Sequence, residues 1–320
     1  MKRYDVIGVD IGSSAVKIVE LRKESGGWAV RSAGMAEIDR GDEQEAANEA
    51  NAAEAVTECL RSSGAESRLA VCSVAGPEVA VRNFSFPTLH KDEIEGAVML
   101  EASQVCPFEI DRCAVSYQLI PNSENKLSGV LVAATNKLIE RKKRCVAGGS
   151  LDAVLMDVDG LALLNCFTEL EGVEPERTIA LLNLGRSYAN LAIMGRDSLP
   201  FVRDIACSTN GAGVQGWAEQ HQDPASWQDA FPRLTADVND TLRYYAARAK
   251  TGVVEQILVC GGFALLEGFV QWLNGRLTAQ AVLWNPFEKM PCRGGHDCSE
   301  LLQTRGPVMA VAAGLAMRAV

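Results

Sequence analysis

Residues 10–17 read Asp10-Ile11-Gly12-Ser13-Ser14-Ala15-Val16-Lys17. The apolar run Val6 to Val9 leads into them and Val16 to Leu21 carries on, so the stretch predicts two strands joined by a polar, glycine-bearing turn. A Gly/Ser turn lets backbone N–H groups approach an anion with no Cβ in the way. Ser13 and Ser14 add hydroxyl donors and Lys17 a point charge for phosphate. Asp10, at a strand end, is a carboxylate able to hold Mg²⁺ through water. A plain hairpin has a similar sequence, so this turn alone leaves both readings open.

The same grammar returns about 170 residues later. Thr178 to Leu182 predicts a strand, Asn183-Leu184-Gly185-Arg186-Ser187 a turn, Ala189 to Met194 a second strand and Leu199 to Ile205 a third. Trp28 to Met35 is the matching third strand of the first half. Gln256 to Val259 is a further strand opening onto Gly261-Gly262, with a helix expected beyond. Paired glycines there allow close backbone approach to a flat ligand. Residues 41–63 predict a surface helix, Leu69 to Val74 a buried strand, Ala153 to Val158 another, and Leu234 to Lys250 a helix. Residues from about 78 to 150 have a different texture. Strands at Val79–Phe86, Ala114–Ile120 and Ser128–Ala134 and helices at Asp92–Gln104 and Ile139–Val146 predict a small α+β insertion.

Composition narrows the function. A formal charge of −10 argues against general nucleic-acid binding, which needs basic stripes to neutralise phosphates. It also disfavours docking on an anionic membrane. The basic run Arg141-Lys142-Lys143-Arg144 reads as a solvated helix face. No signal peptide is evident, and no segment approaches the ~18 apolar residues of a membrane span, so a reducing cytosolic compartment is expected. Ten cysteines are scattered without a Cys-x-x-Cys pair, and several sit in apolar runs and read as small hydrophobes. Cys292, His296 and Cys298 cluster, but their spacing matches no common zinc template.

Taken together, Asp10-x-Gly12-Ser13-x-x-x-Lys17 resembles the first phosphate motif of actin-fold ATPases. Asn183-x-Gly185 stands where their second phosphate motif falls, and Gly261-Gly262 where the adenosine motif falls. Within that superfamily the chain most resembles the PilM family of type IV pilus proteins, over nearly its whole length. The resemblance rests on Asp10 to Leu21, on Phe86-Pro87 with the acidic helix and Cys106-Pro107-Phe108, on Leu151 to Val158, and on Gly314-Leu-Ala-Met-Arg318. The related FtsA is expected to run longer and finish in a membrane-binding helix, whereas this sequence stops at Val320. Val308 to Met317 is Ala-rich with no cationic face and reads as packed core.

The resemblance implies an α/β, actin-like (ribonuclease H-like) duplicated fold with two domains around a nucleotide cleft. Domain I is expected over residues 1–170 with the insertion at about 78–150, and domain II over 171–320, with the helix at about 306–320 returning to domain I. It implies ATP and Mg²⁺ held by Asp10, Gly12, Ser13, Ser14, Lys17, Asn183, Gly185, Gly261 and Gly262. It also implies a cytoplasmic scaffold that binds the N-terminal tail of a PilN-like inner-membrane protein, in a groove between the first domain's core and its insertion. Other pilus platform proteins and the assembly ATPase are further expected partners, and a type II secretion-like machine is an alternative setting. Departures weaken the chemistry. Asn183 replaces an Asp that orients Mg²⁺ or its water, Arg186 occupies a turn that is usually small and either contacts phosphate or crowds it, and Asp240 falls about where relatives carry an Arg for the nucleoside. Turnover is therefore expected to be slow or absent. A degenerate partner-binding protein without nucleotide and a slow ATPase or small-molecule kinase stay open as alternatives. A kinase would need an acidic base at the second turn, and an iron–sulfur activator a cysteine set these positions do not suggest.

Overall fold

Strand β1 (Ile7–Ile11) is buried at every residue, the pattern of a strand covered on both faces. It founds a five-stranded sheet with β2 (Ala15–Glu24), β3 (Gly27–Glu37), β4 (Leu69–Val74) and β8 (Asp152–Val158), in the order β3-β2-β1-β4-β8. The first three strands form an antiparallel meander, and β4 and β8 run parallel to β1. A second sheet repeats this plan with β9 (Ile179–Leu184), β10 (Tyr188–Met194), β11 (Pro200–Ala206), β12 (Gln256–Cys260) and β13 (Gln280–Leu283), ordered β11-β10-β9-β12-β13. Here too the meander is antiparallel and the last two strands are parallel to the first. The duplication predicted from two glycine turns is thus a duplication of whole sheets. Even the turns match. Gly12 N donates to Ala15 O at 3.0 Å, and Gly185 N to Tyr188 O at 3.1 Å.

This computed structural model describes residues 5–39, 45–121, 126–172, 178–195, 199–207, 227, 231, 233–248 and 253–319. Helices α1 (Glu45–Ser63) and α3 (Asn136–Gly148) cover the outer face of the first sheet. Between the two sheets lie α4 (Asp159–Glu171) and α8 (Ala310–Ala316). Leu163 and Cys166 of α4 and Ala313 of α8 share one core with Val71 of the first sheet and Leu181 and Ala192 of the second. Helix α8 is buried throughout and comes very close to its neighbours. A Cβ built on Gly8 would stand 1.9 Å from Ala312 O, and one on Gly314 1.9 Å from Ala162 O. Glycine at those two places lets backbone meet backbone. Helices α5 (Leu234–Arg248) and α6 (Phe269–Asn274) pack on β11 and β13 respectively, and α7 (His296–Arg305) lies beside β3.

Strands β5 (Val79–Phe86), β6 (Cys113–Ile120) and β7 (Leu127–Thr135) make a separate antiparallel sheet ordered β5-β7-β6, with α2 (Ile94–Val105) packed on it through Ile94, Val98 and Ala102. The α+β character of this region was expected from its sequence texture. Three local expectations are corrected. Asn183 and Leu184 continue strand β9 instead of turning, because Asn183 pairs in register with Asn190. Gly262 opens only one 3₁₀ turn, Phe263–Leu265, and the α-helix begins at Phe269, after the left-handed Gly268. Lys142 departs from the solvated face read for its basic run. It sits four residues after buried Leu138 and three before buried Cys145, on the inner stripe of α3. The segment from Asn210 to Arg233 looks compressed relative to the family the sequence resembles, and of it only residues 227, 231 and 233 are among the described residues.

Candidate functional site

The two glycine hairpins point to one place between the sheets. Asp10, one residue before the end of β1, is buried and accepts from Lys17 Nζ at 3.0 Å. Lys142 Nζ reaches in from α3 to donate to Ile11 O. Asp159, the first residue of α4, follows directly on strand β8 and hydrogen-bonds Ser73 at the end of β4. From the second sheet, Asn183 Nδ2 donates to Asn190 Oδ1 at 2.8 Å, and Asn190 Nδ2 to Asp204 Oδ1, also at 2.8 Å. Asp204 Oδ2 in turn accepts from Gly76 N at 2.6 Å, a bond across the cleft to the loop after β4. The carboxylate missing at Asn183 is therefore present two strands away, connected by a relay of two amides.

Three carboxylates and two ammonium groups thus share a confined space. Burial, then the negative charge of Asp10, push the Asp159 carboxyl up to about 7. Ser73 and Lys142 oppose that rise, and Asp204 adds to it. Burial also raises Asp204, against hydrogen bonds from Asn190 and Gly76. Burial lowers the Lys142 ammonium, with Asp159 and Asp10 holding it up. Buried like charges of this kind lose less when a cation joins them.

The carboxylates fit a magnesium ion that needs no protein cage. Among the described residues no three His, Cys, Asp or Glu are placed to cage a metal. Mg²⁺ needs no such cage, since it takes one or two carboxylates and fills its shell with water and phosphate oxygens. Glycine is required at two of these positions by close packing within the chain itself. A Cβ on Gly261, whose φ is +90°, would stand 2.5 Å from Asn183 Oδ1 and 2.6 Å from Leu184 N. One on Gly12 would stand 2.9 Å from Lys17 Nζ. The Gly12 and Gly185 amides are spent closing their turns, so the first turn offers Ser13, Ser14 and Lys17 as donors. Gly262 adjoins Gly261 at the start of the 3₁₀ turn. Asp240 stands apart, exposed on α5, where Arg243 Nη2 donates to it at 2.5 Å. A cation is therefore present one turn from the position read as lacking one.

A second feature lies at the side of the molecule. A groove of ≈ 970 Å³ runs between the small sheet and the first large sheet. Its two walls are edge strands: β6 pairs with β7 alone, and β8 with β4 alone. Val115, Val132, Leu155, Met156, Leu161 and Met317 give it an apolar lining. Its charged groups are internally paired. Asp157 accepts from Arg318 Nε at 2.5 Å, and Glu169 accepts from Trp28 Nε1 at 2.8 Å and Lys23 Nζ at 3.0 Å.

The family profile described as type IV pilus assembly protein PilM matches residues 8–211 and 230–320. The chain belongs to the PilM family. Among solved structures, the chain resembles a PilM–PilN type IV pilus biogenesis complex, with 24% identity, 99% of each chain covered and a TM-score of 0.82. It is more distantly similar to the ethanolamine utilization protein EutJ from Carboxydothermus hydrogenoformans, at 13% identity, 99% and 90% coverage and a TM-score of 0.53. A comparable match is the cytoplasmic domain of EpsL, an inner-membrane component of the type II secretion system of Vibrio cholerae, at 11% identity, 98% and 95% coverage and a TM-score of 0.51. These likenesses show the fold, the actin-like one expected from the sequence.

Sequence reasoning missed Asp159, Asp204, Lys142, Asn190 and Ser73. Two of them left a signal. Asp159 follows a strand as Asp10 ends one, and Lys142 keeps the helical spacing of a buried face. Asp204 and Asn190 come together only through the register of β10 and β11, which pairs them directly.

Proposed function

We propose that the chain is a nucleotide-binding scaffold of a type IV pilus assembly machine, held at the inner membrane from the cytoplasmic side by the tail of a PilN-like protein. The observation that carries this reading is the groove. An extended peptide gains main-chain hydrogen bonds from an unpaired strand edge and specificity from side-chain pockets beside it. Here two such edges face one apolar trough whose charges are already neutralised, which suits a short tail with alternate apolar side chains. Among the described residues no helix is long and apolar enough to cross a membrane, so a partner supplies the attachment.

In this reading the cleft takes ATP with Mg²⁺. Asp10 and Asp159 hold the cation through water, and Ser13, Ser14 and Lys17 bind phosphate. Asn183 and Gly185 flank the phosphates from the second sheet, and Gly261-Gly262 stand beside the base. Bound Mg²⁺ supplies the positive charge that the three carboxylates lack. Turnover falls below the ~1 s⁻¹ lower end of ordinary enzymes, because Asn183 is engaged with Asn190 and orients no water.

The test titrates the protein with a fluorescent peptide copying the cytoplasmic N-terminus of the single-span protein encoded beside it. Micromolar affinity, about −8 kcal/mol, is expected. Leu155→Glu should weaken it at least ~30-fold by burying an unpaired charge. Equal affinity in a folded Leu155→Glu protein, or no binding to wild type, contradicts the reading.

A further inference from the structure

We propose that Cys292 and Cys298 form a dithiol modification site that exchanges with low-molecular-weight disulfides and closes to a disulfide within its own loop. Their Sγ atoms are in contact at 3.4 Å, within reach of a thiol–thiol hydrogen bond. Both thiols are half-buried, whereas six of the other eight cysteines are buried. The loop between them is held from outside. Val30 N donates to Pro291 O at 2.9 Å, Arg293 N to Val30 O at 2.7 Å, and Arg293 Nη2 to Glu24 at 3.0 Å. Cys292 is thereby fixed beside strand β3, and Cys298 is fixed in the first turn of α7. Gly294 makes the approach possible, since a Cβ there would stand 2.8 Å from both Cys298 Cβ and Sγ. Two small hydrophobes filling a gap need no such anchoring.

His296 does not make this a metal site. Its side chain is 88% exposed, with Asp297 and Glu300 as its nearest acidic neighbours, and among the described residues no three-ligand group forms.

The order of events follows from the surroundings. Burial, with added contributions from the contact and charge of Cys292, pushes the Cys298 thiol up to about 12, so Cys292 attacks first. The Cys292 thiolate bonds to one sulfur of glutathione disulfide, the reagent's S–S bond breaks, and one glutathione leaves as a thiolate that takes up a proton. With Cys292 now capped, its contributions to raising Cys298 are gone, and burial remains, opposed by the hydrogen bond from the Ala33 backbone. Cys298 then gives up its proton and attacks the Cys292 sulfur, releasing the second glutathione. Two protein thiols are oxidised and one disulfide is reduced to two thiols. The closed seven-residue loop restricts the unfolded chain and raises the melting temperature by about 3 °C.

The full-length protein is incubated with oxidised glutathione, then alkylated without reductant and read by peptide mass spectrometry. Wild type should show Cys292 and Cys298 unalkylated and linked to each other, lighter by two hydrogens and restored by dithiothreitol. Cys298→Ser should stop at one glutathione on Cys292. Full alkylation of both cysteines overturns the proposal. So does a glutathione adduct that persists on wild-type Cys292 or Cys298, or a melting temperature lowered by closure.

Discussion

Replacing Asp159 by Asn tests the electrostatics of the cleft without touching its shape. The folded Asp159 carboxyl sits at about 7 against an ordinary 3.8. A carboxyl raised on folding contributes stability below its unfolded value and loses it as pH climbs through the folded one. At about 1.36 kcal/mol per unit, a rise of roughly three units corresponds to about 4 kcal/mol as an upper limit. Asp159 is half-buried, and solvent reaching the cleft screens this to about 1–2 kcal/mol. Wild type should therefore lose that much stability between about pH 4 and 7 in magnesium-free buffer. Asp204, raised by burial, adds to the slope in the same direction. Lys142, lowered by burial, works the other way toward alkaline pH. Asn keeps a partner for Ser73 and carries no charge, so Asp159→Asn should flatten the slope and exceed wild-type stability at pH 8. Urea denaturation across this range reads it directly. Parallel wild-type and variant curves, or a variant less stable than wild type at pH 8, would refute the argument.

Three further outcomes follow from the geometry. Gly12→Val places a branched side chain against Lys17 Nζ, 2.9 Å from the would-be Cβ, and should cost at least ~10-fold in ATP affinity, about 1.4 kcal/mol; unchanged calorimetric affinity in a folded variant removes this turn from the site. Asn183→Asp adds a carboxylate to the amide relay and should tighten Mg·ATP binding or raise Mg²⁺-dependent turnover; brisk wild-type hydrolysis abolished by mutating Asp10 would defeat the slow-turnover reading. Gly314→Val forces a Cβ into Ala162 O at 1.9 Å and should cost about 3 kcal/mol or more; a denaturation midpoint equal to wild type would show that α8 shifts freely.

The fold was legible because it is written twice. Val6–Leu21 and Thr178–Met194 carry the same strand–turn–strand pattern, and each strand is short, apolar and bounded by a glycine turn, the local signal that survives without tertiary context. The site was legible only where it coincides with those turns. Asn183 was read as a turn residue because its neighbour Gly185 dominates the local signal, while the pairing with Asn190 that keeps it in strand β9 is non-local. Lys142 was hidden within a run of four cations, although Lys143 and Arg144 do meet Glu140 and Glu49 at the surface. The groove left no local trace. Val115 and Leu155 come from strands of different sheets, and either alone reads as half-buried core.

The most direct test of the account is recruitment to a membrane. Purified protein is mixed with anionic liposomes that are bare, or that carry the neighbouring pilus protein's N-terminal tail. The protein should sediment with tail-bearing liposomes only, and Leu155→Glu should abolish that sedimentation. Sedimentation with bare liposomes, or equal recruitment of the Leu155→Glu protein, would contradict it.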